Sequence, residues 1–145
     1  MEIMSLEKKV RASWPEFAMK LALTAAQERC EDPYVQVGAC CLRHDHSVAS
    51  LGYNGPPPGV EVDWSNRDKR RKRMLHAEVN CLRYVKPGEG KILAVTVIPC
   101  LSCLSVVASW GIKEVYYLED WTGTDPEIFQ VAKEFGIKLE KLQLS

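Results

Sequence analysis

No stretch of this 145-residue sequence is long and apolar enough to cross a membrane, and no apolar leader opens it, so neither a membrane-spanning nor a secreted protein is expected. Charge of one sign is missing as well. Lys plus Arg number 19 and Asp plus Glu number 19, which leaves a formal net charge of zero and no global pull towards nucleic acid or a lipid surface. Any phosphate binding must then be local, and no nucleic-acid partner is expected. Repeats, low-complexity tracts and an interdomain linker are absent too, so residues 1–145 are expected to form a single domain, with 1–12 a loosely ordered N-terminal segment. Histidine is scarce, at three residues, but cysteine is not, at six. Those thiols point to a reducing, cytoplasmic setting (host cytoplasm if the source is viral), with sulfur used for metal and packing rather than for disulfides.

Two short motifs carry the chemistry. His76-Ala77-Glu78 lies a little over twenty residues before Pro99-Cys100-Leu101-Ser102-Cys103. Structural zinc is usually closed by four Cys or His side chains, whereas catalytic zinc has three protein ligands and a position for water. One imidazole and two thiols supply three. Pro99 can stop a strand, and Cys100 and Cys103 then fall on the same side of the first turn of a helix, where the positive end of the dipole favours thiolates. His76 is expected to open the preceding helix in the same way. Zn²⁺ with two thiolates and a neutral imidazole is close to neutral overall, so it acidifies water less than an all-histidine set, and a separate base is required. Glu78, near His76 and not a ligand, is the candidate for that proton. The bland alternative, two buried thiols and a capped histidine, needs both halves to coincide by accident.

The remaining chain reads as alternating helices and strands. Ser13 and Glu16 form a capping box for a helix over 13–29, whose apolar face is expected to be Phe17, Leu21, Thr24 and Ala25, with Ala18 and Ala22 beside it. A strand apolar on both faces is predicted over 34–42 and its return strand over 47–53. His44 and His46 alternate like ligands, but they sit in a hairpin tip, which is usually solvated. Cys40 and Cys41 read as packed thiols. Asn54-Gly55 opens a Pro-Gly loop, and the Asn54 amide suits either a sugar hydroxyl or a favoured turn. The run Arg67-Asp68-Lys69-Arg70-Arg71-Lys72-Arg73 is either a solvated loop or an attractor for the phosphate of a substrate or effector. Helices are expected over 74–85, 101–110 and about 124–135, and strands over 91–98, 114–118 and 137–142.

From about Phe17 to the C-terminus the sequence resembles the deoxycytidylate (dCMP) deaminases, members of the cytidine deaminase-like superfamily. H-x-E with P-C-x-x-C is the general signature of zinc deaminases of nucleobases. The further likeness lies in Asp32-Pro33-Tyr34-Val35-Gln36-Val37-Gly38-Ala39, Gly52-Tyr53-Asn54-Gly55, Val79-Asn80 after the first motif, and Gly111-Ile112-Lys113-Glu114-Val115, in matching order and spacing. The resemblance implies an α/β fold of the three-layer α/β/α cytidine deaminase-like type, with a mixed five-stranded sheet and helices on both faces. It implies that His76, Cys100 and Cys103 bind Zn²⁺, that Glu78 shuttles the proton, that the Ala77 N–H meets the carbonyl oxygen of the base, and that Asn54 holds the 3′-hydroxyl. The reaction implied is hydrolysis of dCMP to dUMP and ammonia. A homo-oligomer, a hexamer, is implied too, with dCTP (and Mg²⁺) as activator and dTTP as inhibitor near the loop after Gly55. Arg70, Arg71 and Arg73 are candidate phosphate or effector contacts.

This sequence departs from the family in places. The segment before His76 usually carries aromatic residues and here carries the basic run, and Cys30 stands where a serine is usual. Those changes keep dCTP, or a modified dCMP, open as the substrate. The other readings are a tRNA adenosine deaminase, supported only by the basic run, and an inactive zinc-stabilised regulatory module, which would require a fourth protein ligand.

Overall fold

A computed structural model describes residues 7–145. In order along the chain come α1 (Trp14–Arg29), β1 (Gly38–Arg43), β2 (Val48–Tyr53), α2 (Arg67–Arg71), α3 (Ala77–Leu82), β3 (Gly90–Val97), α4 (Leu101–Ser109), β4 (Glu114–Glu119), α5 (Ile128–Glu134) and β5 (Lys138–Lys141). The strands form one five-stranded sheet in the order β2-β1-β3-β4-β5. β1 runs antiparallel to both β2 and β3, while β3, β4 and β5 are parallel. The hairpin makes the antiparallel half, and α4 and α5 are the crossovers that parallel neighbours require.

Strand side chains alternate between faces, and here both faces are apolar, so both must be covered. On one face Cys40, Leu42, Ile92, Ala94 and Tyr116 pack against Ala18, Met19 and Ala22 of α1. On the other, Ala39, Cys41, Leu93, Val95 and Val115 meet Cys81 and Leu82 of α3, Leu104 and Val107 of α4 and Ile128 of α5. The result is the three-layer arrangement expected from the sequence.

Several boundaries differ from expectation, each for a physical reason. α1 buries Ala18, Met19, Ala22, Ala25 and Ala26, while Phe17 is 38% exposed and Thr24 is exposed. An alanine stripe lets this helix approach the sheet more closely than Phe17 would permit. The first strand starts at Gly38 and not at residue 34, because local side chains hold the backbone before it: Tyr34 N–H and Val35 N–H donate to Asp32 Oδ1 at 2.8 and 3.1 Å, and Val37 N–H donates to Asn54 Oδ1 at 2.7 Å. The helix expected from residue 74 starts only at Ala77, since Leu75 exchanges backbone hydrogen bonds with Gly55 at 2.8 and 3.1 Å. Part of the basic run is helical, as α2, capped by the Asn66 side chain accepting from Lys69 N–H. Of the expected loose N-terminal segment, residues 1–6 lie outside the described residues, and 7–13 carry no helix or strand.

Candidate metal and catalytic site

α3 and α4 begin side by side, and each is opened by a residue of the two motifs. His76 is the N-cap of α3 and Cys100 the N-cap of α4, and neither spends its side chain on a capping hydrogen bond. α3 can lie flat on β2 because Gly52 lacks a Cβ, which would come within 2.5 Å of the Cys81 backbone nitrogen. At this end of the sheet His76 Nδ1 stands 3.1 Å from Cys103 Sγ and 3.6 Å from Cys100 Sγ. All three donor atoms lie within 4.8 Å of one another, and among the described residues no fourth His, Cys, Asp or Glu joins the group. Tetrahedral zinc, with bonds of about 2.0–2.3 Å, separates its ligand atoms by roughly 3.6 Å. One nitrogen and two sulfurs at this spacing therefore fit a single zinc ion.

Without an ion the three donors share their protons unevenly. Cys100 is pulled down to about 3 because its sulfur accepts hydrogen bonds from the Cys103 thiol and then from His76. The partner thiol is correspondingly raised, by donating to Cys100 and by burial. His76 is raised by its hydrogen bond to Cys100, against the effect of burial. Cys100 is thus held as the thiolate that metals take up, while Cys103 and the exposed His76 have protons to release as an ion binds.

Glu78, on the first turn of α3, is only 4% exposed. Burial raises its carboxyl above the ordinary range, opposed by backbone hydrogen bonding and the charge of His76. A carboxylate whose proton affinity is lifted in this way suits a group that takes and returns a proton. Ala77, fully buried, begins the same turn, and first-turn N–H groups have no acceptor within their own helix.

Asn54 directly follows β2 and is 8% exposed. Its Oδ1 accepts from Val37 N–H at 2.7 Å and from the Cys30 thiol at 3.3 Å, and its Nδ2 donates to Val35 C=O at 2.9 Å and to Asp32 Oδ2 at 3.5 Å. The amide is thus engaged within the protein as the tie between β2 and the segment ahead of β1. Gly55 next to it pairs with Leu75, which brings this loop alongside His76. The three arginines of the basic run part company. Arg70 forms an ion pair with Asp32 Oδ2 at 2.9 Å, Arg73 donates to Lys69 C=O, and Arg71 is exposed. His44 and His46 stand apart from the metal group: His44 Nε2 lies 3.1 Å from Gly88 C=O and the His46 ring stacks on Trp14.

Two polar residues of this region escape a reading by spacing alone. Asp32, 1% exposed, gathers Tyr34, Val35, Asn54 and Arg70, whereas in sequence it stands only as the first residue of a stretch shared with the family and carries no role. Asn80, on α3, donates to Tyr53 C=O at 2.8 Å and Gly55 C=O at 3.4 Å and so ties the Asn54 loop to the metal helix. Its signal is a polar side chain on a helix face that is otherwise apolar.

The sequence matches the family described as the cytidine and deoxycytidylate deaminase zinc-binding region over residues 12–119. The chain belongs to this family. It is 33% identical to the deoxycytidylate deaminase of Mus musculus over 117 residues, 74% of this chain and 65% of that protein, so the match spans less than two thirds of the relative's length. The ComE operon protein 2 of Bacillus subtilis (strain 168) is 32% identical over 143 residues, 92% of this chain and 74% of that protein. Among solved structures, the dCMP deaminase of cyanophage S-TIM5 in complex with dCMP and dUMP is similar with a TM-score of 0.74 and 27% identity, covering 92% of this chain and 100% of the phage chain. Its fold is the one described above, so the three-layer deaminase architecture and the zinc-binding character of the domain stand together. No helix among the described residues is long and apolar enough to cross a membrane.

Proposed function

We propose that this deaminase-family chain hydrolyses dCMP to dUMP and ammonia, with Zn²⁺ held by His76, Cys100 and Cys103. The observation that carries this reading is the convergence of those three donors within 4.8 Å beside a buried Glu78 on the same first helical turn. A zinc ion held there would supply an acidified water as nucleophile. Glu78 takes one proton from the water that adds at C4 of cytosine and gives it to the ring nitrogen, where it stays, then carries the second, from the new C4 hydroxyl, to the amine, which leaves as ammonia as the C4–N bond breaks and C4=O forms. The Ala77 N–H donates to the carbonyl oxygen of the base and so orients C4. Asn54, at the end of β2, faces the 3′-hydroxyl by exchanging one of its internal hydrogen bonds for the sugar.

The similarity to the phage dCMP deaminase and to the mammalian enzyme supports dCMP over the other cytosine nucleotides. We further propose, on the family resemblance of the sequence, that the protein works in the cytoplasm as a homo-oligomer, a hexamer, with dCTP and Mg²⁺ activating and dTTP inhibiting near Gly55. Ammonia release from dCMP, dCTP, CMP and deoxycytidine, with and without dCTP and dTTP as effectors, tests the whole reading. Turnover led by dCMP is expected, and equal or better turnover of the unphosphorylated nucleoside would remove the nucleotide claim.

A further inference from the structure

We propose that Ser102 is a positioning residue of the metal centre, whose hydroxyl donates to the Cys100 sulfur, fixes that ligand and limits the electron density it passes to the ion. The inference rests on the reading of His76, Cys100 and Cys103 as zinc ligands and deepens it, because it makes the two sulfurs unequal.

Ser102 lies between the two thiols of the second motif, on the first turn of α4, and is exposed. Its Oγ stands 3.2 Å from Cys100 Sγ, and among the described residues its side chain has no other hydrogen bond. Chemistry fixes the direction of that bond. Metals bind the thiolate, which has no proton to give, so in the ligand form of Cys100 the serine hydroxyl is the donor.

The Cys100 sulfur has three side-chain neighbours that hydrogen-bond with it, namely Cys103, His76 at 3.6 Å and Ser102. Two of the three are ligands themselves. When an ion binds, Cys103 gives up its proton and the imidazole turns a lone pair to the metal, so neither goes on donating to Cys100 in the same way. Ser102 takes no part in the coordination and keeps its proton. It is the side-chain donor left to Cys100 in the loaded site.

The other sulfur has different company. Cys103 is 3% exposed and has the Glu78 carboxyl beside it, whereas Cys100 is only half-buried and has a hydroxyl. A hydrogen bond to a thiolate draws charge off the sulfur, which makes it both a weaker donor to its metal and a weaker nucleophile. Two thiolates and an imidazole bring zinc close to neutrality and weaken its pull on water. Ser102 restores part of that pull, and it shields the more accessible sulfur from electrophiles.

The test compares the full chain with Ser102→Ala and Ser102→Thr, each loaded with Co²⁺ for absorption spectra and with Zn²⁺ for reactivity. Position 102 is exposed and alanine suits a helix, so the fold should persist in the variant that loses the hydroxyl. In Ser102→Ala the thiolate-to-cobalt charge-transfer bands are expected to move to longer wavelength. Iodoacetamide, which alkylates Cys100 with loss of iodide, is expected to release zinc from that variant about threefold faster or more, the scale of one hydrogen bond. Ser102→Thr keeps the hydroxyl and is expected to return both readouts to those of the wild type. Bands at one wavelength in all three proteins, equal rates of zinc release, or a threonine variant that behaves like the alanine one overturn the proposal while the zinc reading stands. A wild-type chain that takes up neither cobalt nor zinc overturns the zinc reading, and the proposal with it.

Discussion

Gly38 of β1 lies directly against the carbonyl oxygen of Ala22 in α1, so close that a Cβ on Gly38 would run into that oxygen and then into the Ala26 side chain. The alanine stripe of α1 and the missing side chain of Gly38 are one device, and it sets how near the helix sits to the sheet. Gly38→Ala is therefore expected to destabilise the domain by about 3 kcal/mol or more, since backbone has to move and not merely a side chain. Equilibrium urea unfolding measures this, and a loss below about 1 kcal/mol would show that the approach is looser than described.

Asp32 is the second structural hinge of the account. Removing its carboxylate leaves the Arg70 guanidinium and two backbone N–H groups without their acceptor, and the Asn54 amide with Val35 C=O alone. Breaking a buried ion pair from one side costs roughly 3–5 kcal/mol, so Asp32→Ala is expected to lose that much, whereas an exposed pair such as Lys138 with Glu140 contributes little. Urea unfolding of Asp32→Ala beside Glu140→Ala separates the two cases, and similar small losses in both would contradict the buried network.

The core thiols make a prediction about alkaline pH. Burial pushes Cys40 from 9.0 up to about 12 and Cys41 up to about 11. A thiol raised in the folded state favours folding fully below the unfolded value, and its contribution is lost as pH climbs towards the folded one. Between pH 9 and 11 the unfolded chain has released these protons and the folded chain still holds them, so stability should fall by about 1.4 kcal/mol per pH unit for each thiol. Cys40→Ala should show a shallower decline over that window by about one proton. Identical slopes for the two proteins would mean that Cys40 ionises freely in the fold.

How much of this was open to a reader of the sequence depends on how local each cause is. The Cys100 and Cys103 pair sits on one turn, and His76 opens another, so their chemistry is legible from spacing. The strands β3 and β4 are legible for the same reason, and their parallel pairing follows from α4 between them. What escapes is non-local. The buried face of α1 is decided by Gly38 across the gap, and the late start of β1 by Asn54, which comes much later in the chain. The short α3 is trimmed because Leu75 pairs with Gly55. Arg70 lies in a run that reads either as a solvated loop or as a phosphate attractor, and only the fold delivers it to Asp32. The site outside the metal ligands is built from such encounters, and no periodicity announces them.

The account turns on Glu78 as the proton carrier beside a metal it does not bind, and zinc content and dCMP turnover measured on the same sample of Glu78→Gln test that most directly. One zinc per chain with turnover reduced by about 10²–10⁴-fold is the predicted result. Undiminished turnover, or loss of the zinc together with the activity, would contradict it.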